Sequence, residues 1–199
     1  MTISENRAVV GQHNKSARPE TPASAEVGTI LVVGSTGTIG QEVVHRPRAA
    51  HVRPIAMLRA GRGGPQHGDR MDQVTADLDR PATVEAALDG VDRLFLLTRQ
   101  TSRQLAQEKA VIAAAARAGV GRVVKLSVFQ ADERSPLQIA RQHRQAERFL
   151  QDSGLQHTVL RPVFFMQNLF PMVRNGAIPT AARDGRVGMI DARDIVPQP

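Results

Sequence analysis

The residues whose types and spacing carry chemistry begin at Gly34-Ser35-Thr36-Gly37-Thr38-Ile39-Gly40, entered directly from the apolar run Thr29-Ile30-Leu31-Val32-Val33. A strand that turns through glycines into a helix presents backbone N–H groups, and the positive end of the helix dipole, to an anion. Glycines at 34, 37 and 40 would permit the tight bend, let the backbone approach a pyrophosphate, and let the helix pack close to the strand. The pattern points to a dinucleotide, its pyrophosphate held by Gly34, Thr36, Gly37, Thr38, Ile39 and Gly40. Glycine-rich turns without a ligand are common, so the loop is weighed with the residues that follow it.

The next apolar run ends Met57-Leu58-Arg59, with Arg59 following the last loop glycine by 19 positions. An acidic residue there holds the ribose 2′-hydroxyl of NAD, whereas a cation suits the 2′-phosphate of NADP. Arg59 can form a fork onto that phosphate, assisted by Arg62, which favours NADP(H) over NAD(H). The plain alternative is a surface arginine in an arginine-rich chain. Asp77-Leu78 closes a third run and would border the adenine, with Asp77 accepting from the exocyclic amine; Asp77 would otherwise cap the following helix. Ligands of open parallel sheets gather at the carboxyl ends of the strands. That rule sets Thr98 beside the central part of the cofactor and Ser127, after Lys125-Leu126, beside the nicotinamide.

These positions require a scaffold, and the chain supplies alternating strand and helix signals. Strands are expected at Thr29–Val33, Val52–Leu58, Gln73–Thr75, Arg93–Leu97, Arg122–Leu126 and His157–Leu160. Between them, Asp79 is expected to cap a helix with Pro81 in its first turn, Val84, Ala87 and Leu88 on one face and Gly90 past its end. The alanine-rich stretch Gln104–Ala118 ends at Gly119, and Ser135-Pro136 is expected to open a helix that runs to about Asp152, with Gly154 as its stop. The alternation implies an α/β fold, a doubly wound parallel sheet of the Rossmann type. Pro47 falls where the first helix should still be running, so that helix is expected to kink or end near Arg46.

Composition narrows the class. A chain of 199 residues, 41% hydrophobic, supports one domain with a real core. Residues 1–27 read as a disordered leader, 28–165 as the dinucleotide-binding domain and 166–199 as part of a substrate lobe. No apolar window is long enough to span a membrane and the leader lacks a signal-peptide core, so a cytoplasmic location is expected. Cysteine is absent, which excludes disulfides, thiol nucleophiles and thiolate zinc sites, and no metal site is expected. The formal charge of +7 invites a nucleic-acid partner, but the arginines are scattered, lysine occurs only at Lys15, Lys109 and Lys125, and there is no basic block or aromatic platform.

With these residues in hand, the stretch 28–196 resembles the NmrA-like branch of the atypical short-chain dehydrogenases. The resemblance rests on Gly34 through Gly40, Leu96-Leu97-Thr98, Ala118-Gly119-Val120-Gly121-Arg122-Val123-Val124-Lys125-Leu126-Ser127, Ser135-Pro136-Leu137, His143 with Glu147, Ser153-Gly154-Leu155, and Leu160-Arg161-Pro162 followed by Phe164-Phe165-Met166-Gln167-Asn168. It implies NADPH as cofactor. The family includes quinone and azo-dye reductases alongside dinucleotide-binding proteins that act as redox-sensing regulators. Its members continue beyond the point where this sequence stops, so the resemblance implies a C-terminally truncated substrate lobe. Apolar side chains such as Phe164, Phe165, Leu169, Phe170 and Met172 would then be partly uncovered, open to a protein partner or to self-association.

Ordinary short-chain dehydrogenases protonate the substrate oxygen with the tyrosine of a Tyr-x-x-x-Lys pair, whose lysine lowers the tyrosine pKa. This chain contains no tyrosine. His143, one helical turn from Glu147, occupies the corresponding region of the resembling family and is the candidate for orienting cofactor or substrate or donating a proton; the alternative is a surface histidine paired with Glu147. Hydride transfer to a quinone-like acceptor needs chiefly proximity and orientation. The expected function is therefore NADPH-dependent reduction of a small quinone-like acceptor, with a non-catalytic dinucleotide sensor or an inactive remnant as alternatives.

Overall fold

The computed structural model describes residues 28–45, 52–59, 71–175, 177–178 and 185–195. The expected leader, Arg46 and Pro47, where the first helix is expected to break, and Arg62 lie outside the described residues.

Six strands, β1 (Gly28–Val33), β2 (Val52–Leu58), β3 (Asp72–Thr75), β4 (Arg93–Leu96), β5 (Arg122–Leu126) and β6 (His157–Leu160), form one sheet in the order β3-β2-β1-β4-β5-β6. Every pairing is parallel. The central strand β1 reads Gly-Thr-Ile-Leu-Val-Val, a continuous apolar run of the kind a strand needs when both of its faces are covered. Period-two alternation sorts its side chains. Leu31 and Val33 join Leu94, Leu96 and Val123 on one face, under α2 (Pro81–Ala87), α3 (Gln104–Arg117) and α4 (Gln138–Asp152). Val32, Ala56, Phe95 and Leu126 point to the other face, which α1 (Thr38–His45) covers with Val44.

Three of the four helices end where local chemistry says they should. Gly90, Gly119 and Gly154 take φ of +65°, +72° and +77° just past α2, α3 and α4, the left-handed conformation that closes a helix. Two expected starts differ. Arg80, not Asp79, precedes α2, and no side chain caps it, because the Asp79 carboxylate is drawn to α3: Oδ2 pairs with Arg103 at 2.9 Å and Oδ1 accepts from Gln107 at 2.8 Å. The α4 helix begins at Gln138 rather than at Ser135-Pro136; Arg141 donates to both carbonyls of that dipeptide and holds it as the turn before the helix.

Beyond β6, β7 (Phe164–Phe165) pairs in parallel with β8 (Met189–Ile190) in a small second sheet. Gln167 joins the two ends of this unit, donating to Asp191 Oδ1 at 2.8 Å and accepting from the Ala192 amide at 3.0 Å. The 3-10 turn Ala192–Ile195 then packs on α1, and Ile195 and Phe165 reach the core on that face. Phe164, Met166, Phe170 and Met172 are exposed, Phe170 at 77%. Phe165 and Leu169 are half-buried. No helix among the described residues is long and apolar enough to cross a membrane.

Candidate functional site

Strand order reverses between β1 and β4: the chain builds outward through β2 and β3 on one side of β1 and through β5 and β6 on the other. The loops after β1 and β4 therefore leave in opposite directions and open a crevice at the carboxyl ends of the strands. A cavity of about 230 Å³ lies there. Its walls come from Gly34 and Thr36 after β1, Met57 to Arg59 at the end of β2, Ala76 to Leu78 after β3, and Leu97 to Arg99 with Thr101 and Arg103 after β4.

The glycine turn is built by close approach. Gly34 has φ +80°, and a Cβ there would run into the Leu97 carbonyl from the neighbouring loop. A Cβ on Gly40 would collide with the Gly34 carbonyl, so the first turn of α1 seats directly on the turn that precedes it. The Gly34 carbonyl accepts the Gly37 amide at 3.0 Å, and the first helical bond runs from the Gln41 amide to the Gly37 carbonyl at 2.9 Å. The amides of Thr38, Ile39 and Gly40 precede that bond and point out of the helix end. Gly37 is open on its outer side, where a Cβ would touch only the Gly34 carbonyl at 3.4 Å. Ser35 faces inward and donates to the Met57 carbonyl at 2.7 Å, locking the turn to β2.

Of the residues expected at the site, Gly34, Thr36, Arg59, Asp77, Leu78 and Thr98 meet around the cavity. Gly37, Thr38, Ile39 and Gly40 form its adjoining turn and helix start, with Ile39 also packed against the core. Asp77 Oδ1 accepts the Asp79 amide at 3.1 Å, a turn ahead of the helix rather than a cap on it. Ser127 and His143 do not line the cavity. Both belong to a buried polar cluster between α3, β5 and α4.

The alternation that gives β5 its apolar sides also turns Lys125 toward α3 and α4, where it is fully buried. Its ammonium forms an ion pair with Glu108 Oε2 at 2.8 Å and donates to the Leu126 carbonyl at 3.1 Å and to His143 Nδ1 at 3.2 Å. Nδ1 therefore accepts and the ring proton sits on Nε2, 3.1 Å from the Gln104 side-chain amide, which accepts it through its oxygen, an atom otherwise without a partner, once the amide is turned to face the ring. Burial first, and the Lys125 charge second, push the His143 pKa down to about 4. The imidazole is neutral near pH 7 and engaged on both sides. The expected alternative of a surface histidine paired with Glu147 is thus corrected, since His143 is only 6% exposed and its hydrogen bonds go to Lys125 and Gln104. Glu147 has its own partners: Ser127 Oγ donates at 2.6 Å, and Arg161 grips both carboxylate oxygens at 2.9 and 2.5 Å. Burial raises its pKa, but the bonds from Arg161 and Ser127 outweigh burial and hold it below the usual carboxylate range.

Thr98 belongs to both regions, lining the cavity while its hydroxyl donates to Glu108 Oε1 at 2.7 Å. Gln104, Glu108, Lys125 and Arg161 were not expected as site residues, though Lys125 and Arg161 stand in the motifs that carry the resemblance. The signal was a stripe: Gln104 and Glu108 fall on the same buried face of α3 as Val111, Ile112 and Ala115.

Comparison with known proteins agrees with this geometry. The NAD(P)H azoreductase of Xenophilus azovorans is 39% identical over 171 residues, a match covering 83% of this chain and 60% of that protein. The chain thus spans about three-fifths of that relative's length. Among solved structures, an NADPH-dependent quinone oxidoreductase of Escherichia coli complexed with NADPH superposes with a TM-score of 0.60 at 28% identity, covering 71% of this chain and 51% of that one. The fold is shared with the triphenylmethane reductase of Citrobacter sp. complexed with NADP(H), with a TM-score of 0.70 at 22% identity over 84% of this chain and 62% of that one. The profile of the NAD(P)H-binding family matches residues 34–195, from the first glycine of the turn through the 3-10 turn that packs on α1, and this chain belongs to that family.

Proposed function

We propose that this chain binds NADPH in the crevice between β1 and β4 and serves a reductase that passes hydride to a small quinone- or azo-type acceptor. The observation that carries the reading is the convergence of the glycine turn, Arg59, Asp77 and Thr98 on one cavity at the point where strand order reverses. The donor set fits the group. Helix-end amides at Thr38, Ile39 and Gly40 suit the pyrophosphate, the open side of Gly37 leaves room for it, and the Arg59 guanidinium suits a 2′-phosphate. Asp77 and Leu78 would border the adenine, and Ser127 would stand toward the nicotinamide end. The bound nicotinamide supplies the hydride; the chain's own residues bind, orient and exclude water. His143, neutral and held by Lys125, acts in this reading as a positioning residue linked through Lys125 and Glu108 to Thr98, rather than as a proton donor.

The azoreductase and quinone oxidoreductase relatives support the acceptor class, and the NADPH complex of the latter supports the cofactor. The test is calorimetric titration of the protein with NADPH and NADH, repeated on Arg59→Ala. Binding with a preference for NADPH that Arg59→Ala reduces about tenfold, with NADH unaffected, is the expected result. Equal losses for both cofactors would remove the phosphate role from Arg59. Binding of oxidised and reduced dinucleotide alike, with no turnover on a panel of quinones and azo dyes, would favour a sensing protein.

A further inference from the structure

Among the described residues three guanidiniums line the cavity, and they are not equivalent. Arg103 is committed to Asp79 at 2.9 Å, whereas Arg59 and Arg99 make no ion pair or hydrogen bond among the described residues. They come from different walls, Arg59 from the end of β2 and Arg99 from the loop after β4. That loop is pinned on both sides of Arg99. Thr98 is tied to buried Glu108 at 2.7 Å, and Thr101 accepts the Arg103 amide on its hydroxyl at 3.2 Å and the Gln104 amide on its carbonyl at 3.2 Å. The backbone of Arg99 is fixed while its side chain stays exposed and unengaged. Among the described residues Asp77 is the sole carboxylate in the wall, and one of its oxygens is used by the Asp79 amide.

Resting on the cofactor reading above, we infer that Arg99 is a second determinant of cofactor specificity, closing with Arg59 on the 2′-phosphate of NADPH from the opposite side of the cavity. The charge count supports it. Two unengaged cations sharing a small cavity repel each other, and a phosphate monoester carrying close to two negative charges neutralises both. The pyrophosphate has a separate set of donors in the amides at the start of α1 and leaves the two arginines free for the monoester.

Calorimetric Kd values for NADPH and NADH, measured on the wild-type protein, Arg99→Ala and Arg99→Gln, test this directly, with thermal unfolding to establish that each variant folds. The expected result is about a tenfold rise in the NADPH Kd for both variants and an NADH Kd within about twofold of wild type. Equal losses for both cofactors would mean that Arg99 packs on the adenine or meets the pyrophosphate, and would overturn the inference. Wild-type NADPH affinity in Arg99→Gln, which keeps most of the side chain's length without its charge, would overturn it as well. If the wild-type protein itself binds no NADPH, the cofactor reading falls first and this one with it; if it binds and the variants are unchanged, only Arg99 is wrongly assigned.

Discussion

The rim of the cavity and the cluster under β5 use the same side-chain types to opposite ends. At the rim, Arg59 and Arg99 are exposed and without partners among the described residues. In the cluster between α3, β5 and α4, Lys125, Glu108, His143 and Glu147 are buried and paired. Removal from water is what separates them. An exposed cation keeps its hydration and is available to a ligand, whereas a buried one needs its partners to exist as a charge at all. The first group should therefore control binding with little effect on folding, and the second folding and geometry with only indirect effect on binding.

The strongest way to break that division is Lys125→Met, which strands the Glu108 carboxylate without its counter-ion in the interior. We expect a loss of about 3–5 kcal/mol in urea unfolding, most of it recovered when Glu108→Leu is added. A loss below about 1 kcal/mol would mean that water reaches the pair. Next in size is the response to acid. The imidazole of His143 titrates near 4 when folded and near 6.5 when free, so the unfolded chain takes up a proton that the folded chain refuses. Stability is fully present above about pH 6.5, falls as the pH drops toward 4 and levels off below it, with about 2 kcal/mol lost between pH 7.5 and 5. His143→Gln should flatten that part of the pH profile. The carboxyls held below their usual range, Glu147, Asp92 and Asp191, add their own losses only at lower pH.

Gly40→Ala sharpens the comparison from the rim side, because its methyl group collides with the Gly34 carbonyl rather than with a ligand. It should cost about 1–3 kcal/mol and weaken both dinucleotides together, as a displaced helix end would. Smallest in its effect on folding is Arg59→Ala, whose unfolding midpoint is expected to match wild type even as NADPH affinity drops. A large stability loss there would show that the rim, too, holds the fold together.

Much of the scaffold was legible because its signals are local. The run Thr29–Val33, the glycines at 90, 119 and 154 and the alternation in Arg122–Leu126 each specify their own structure within a few residues. So does the arrangement of the rim, since the parallel order sends the loop after β1 and the ends of β2, β3 and β4 to one side. The buried cluster was not legible in the same way. Lys125 is one cation in a strand and Glu108 one carboxylate in an alanine-rich helix, and only the meeting of α3, β5 and α4 seals them together. Asp79 shows the same limit at a smaller scale. Its sequence neighbours favour a helix cap, but Arg103 and Gln107, more than twenty residues on, take its carboxylate.

The clasp between Thr29 and Asp92 has an entropic consequence. Asp92 Oδ2 accepts from both the amide and the hydroxyl of Thr29, and the Thr29 hydroxyl oxygen accepts the Asp92 amide, across a separation of 63 residues. Strands β1 and β2 are near neighbours in sequence, but β4 must cross from beyond β3 to reach the free edge of β1 and join the two halves of the sheet. Of the pairings in the sheet this one closes the longest loop and so carries the largest loop-closure entropy, and the clasp fastens the strand pair that bears it.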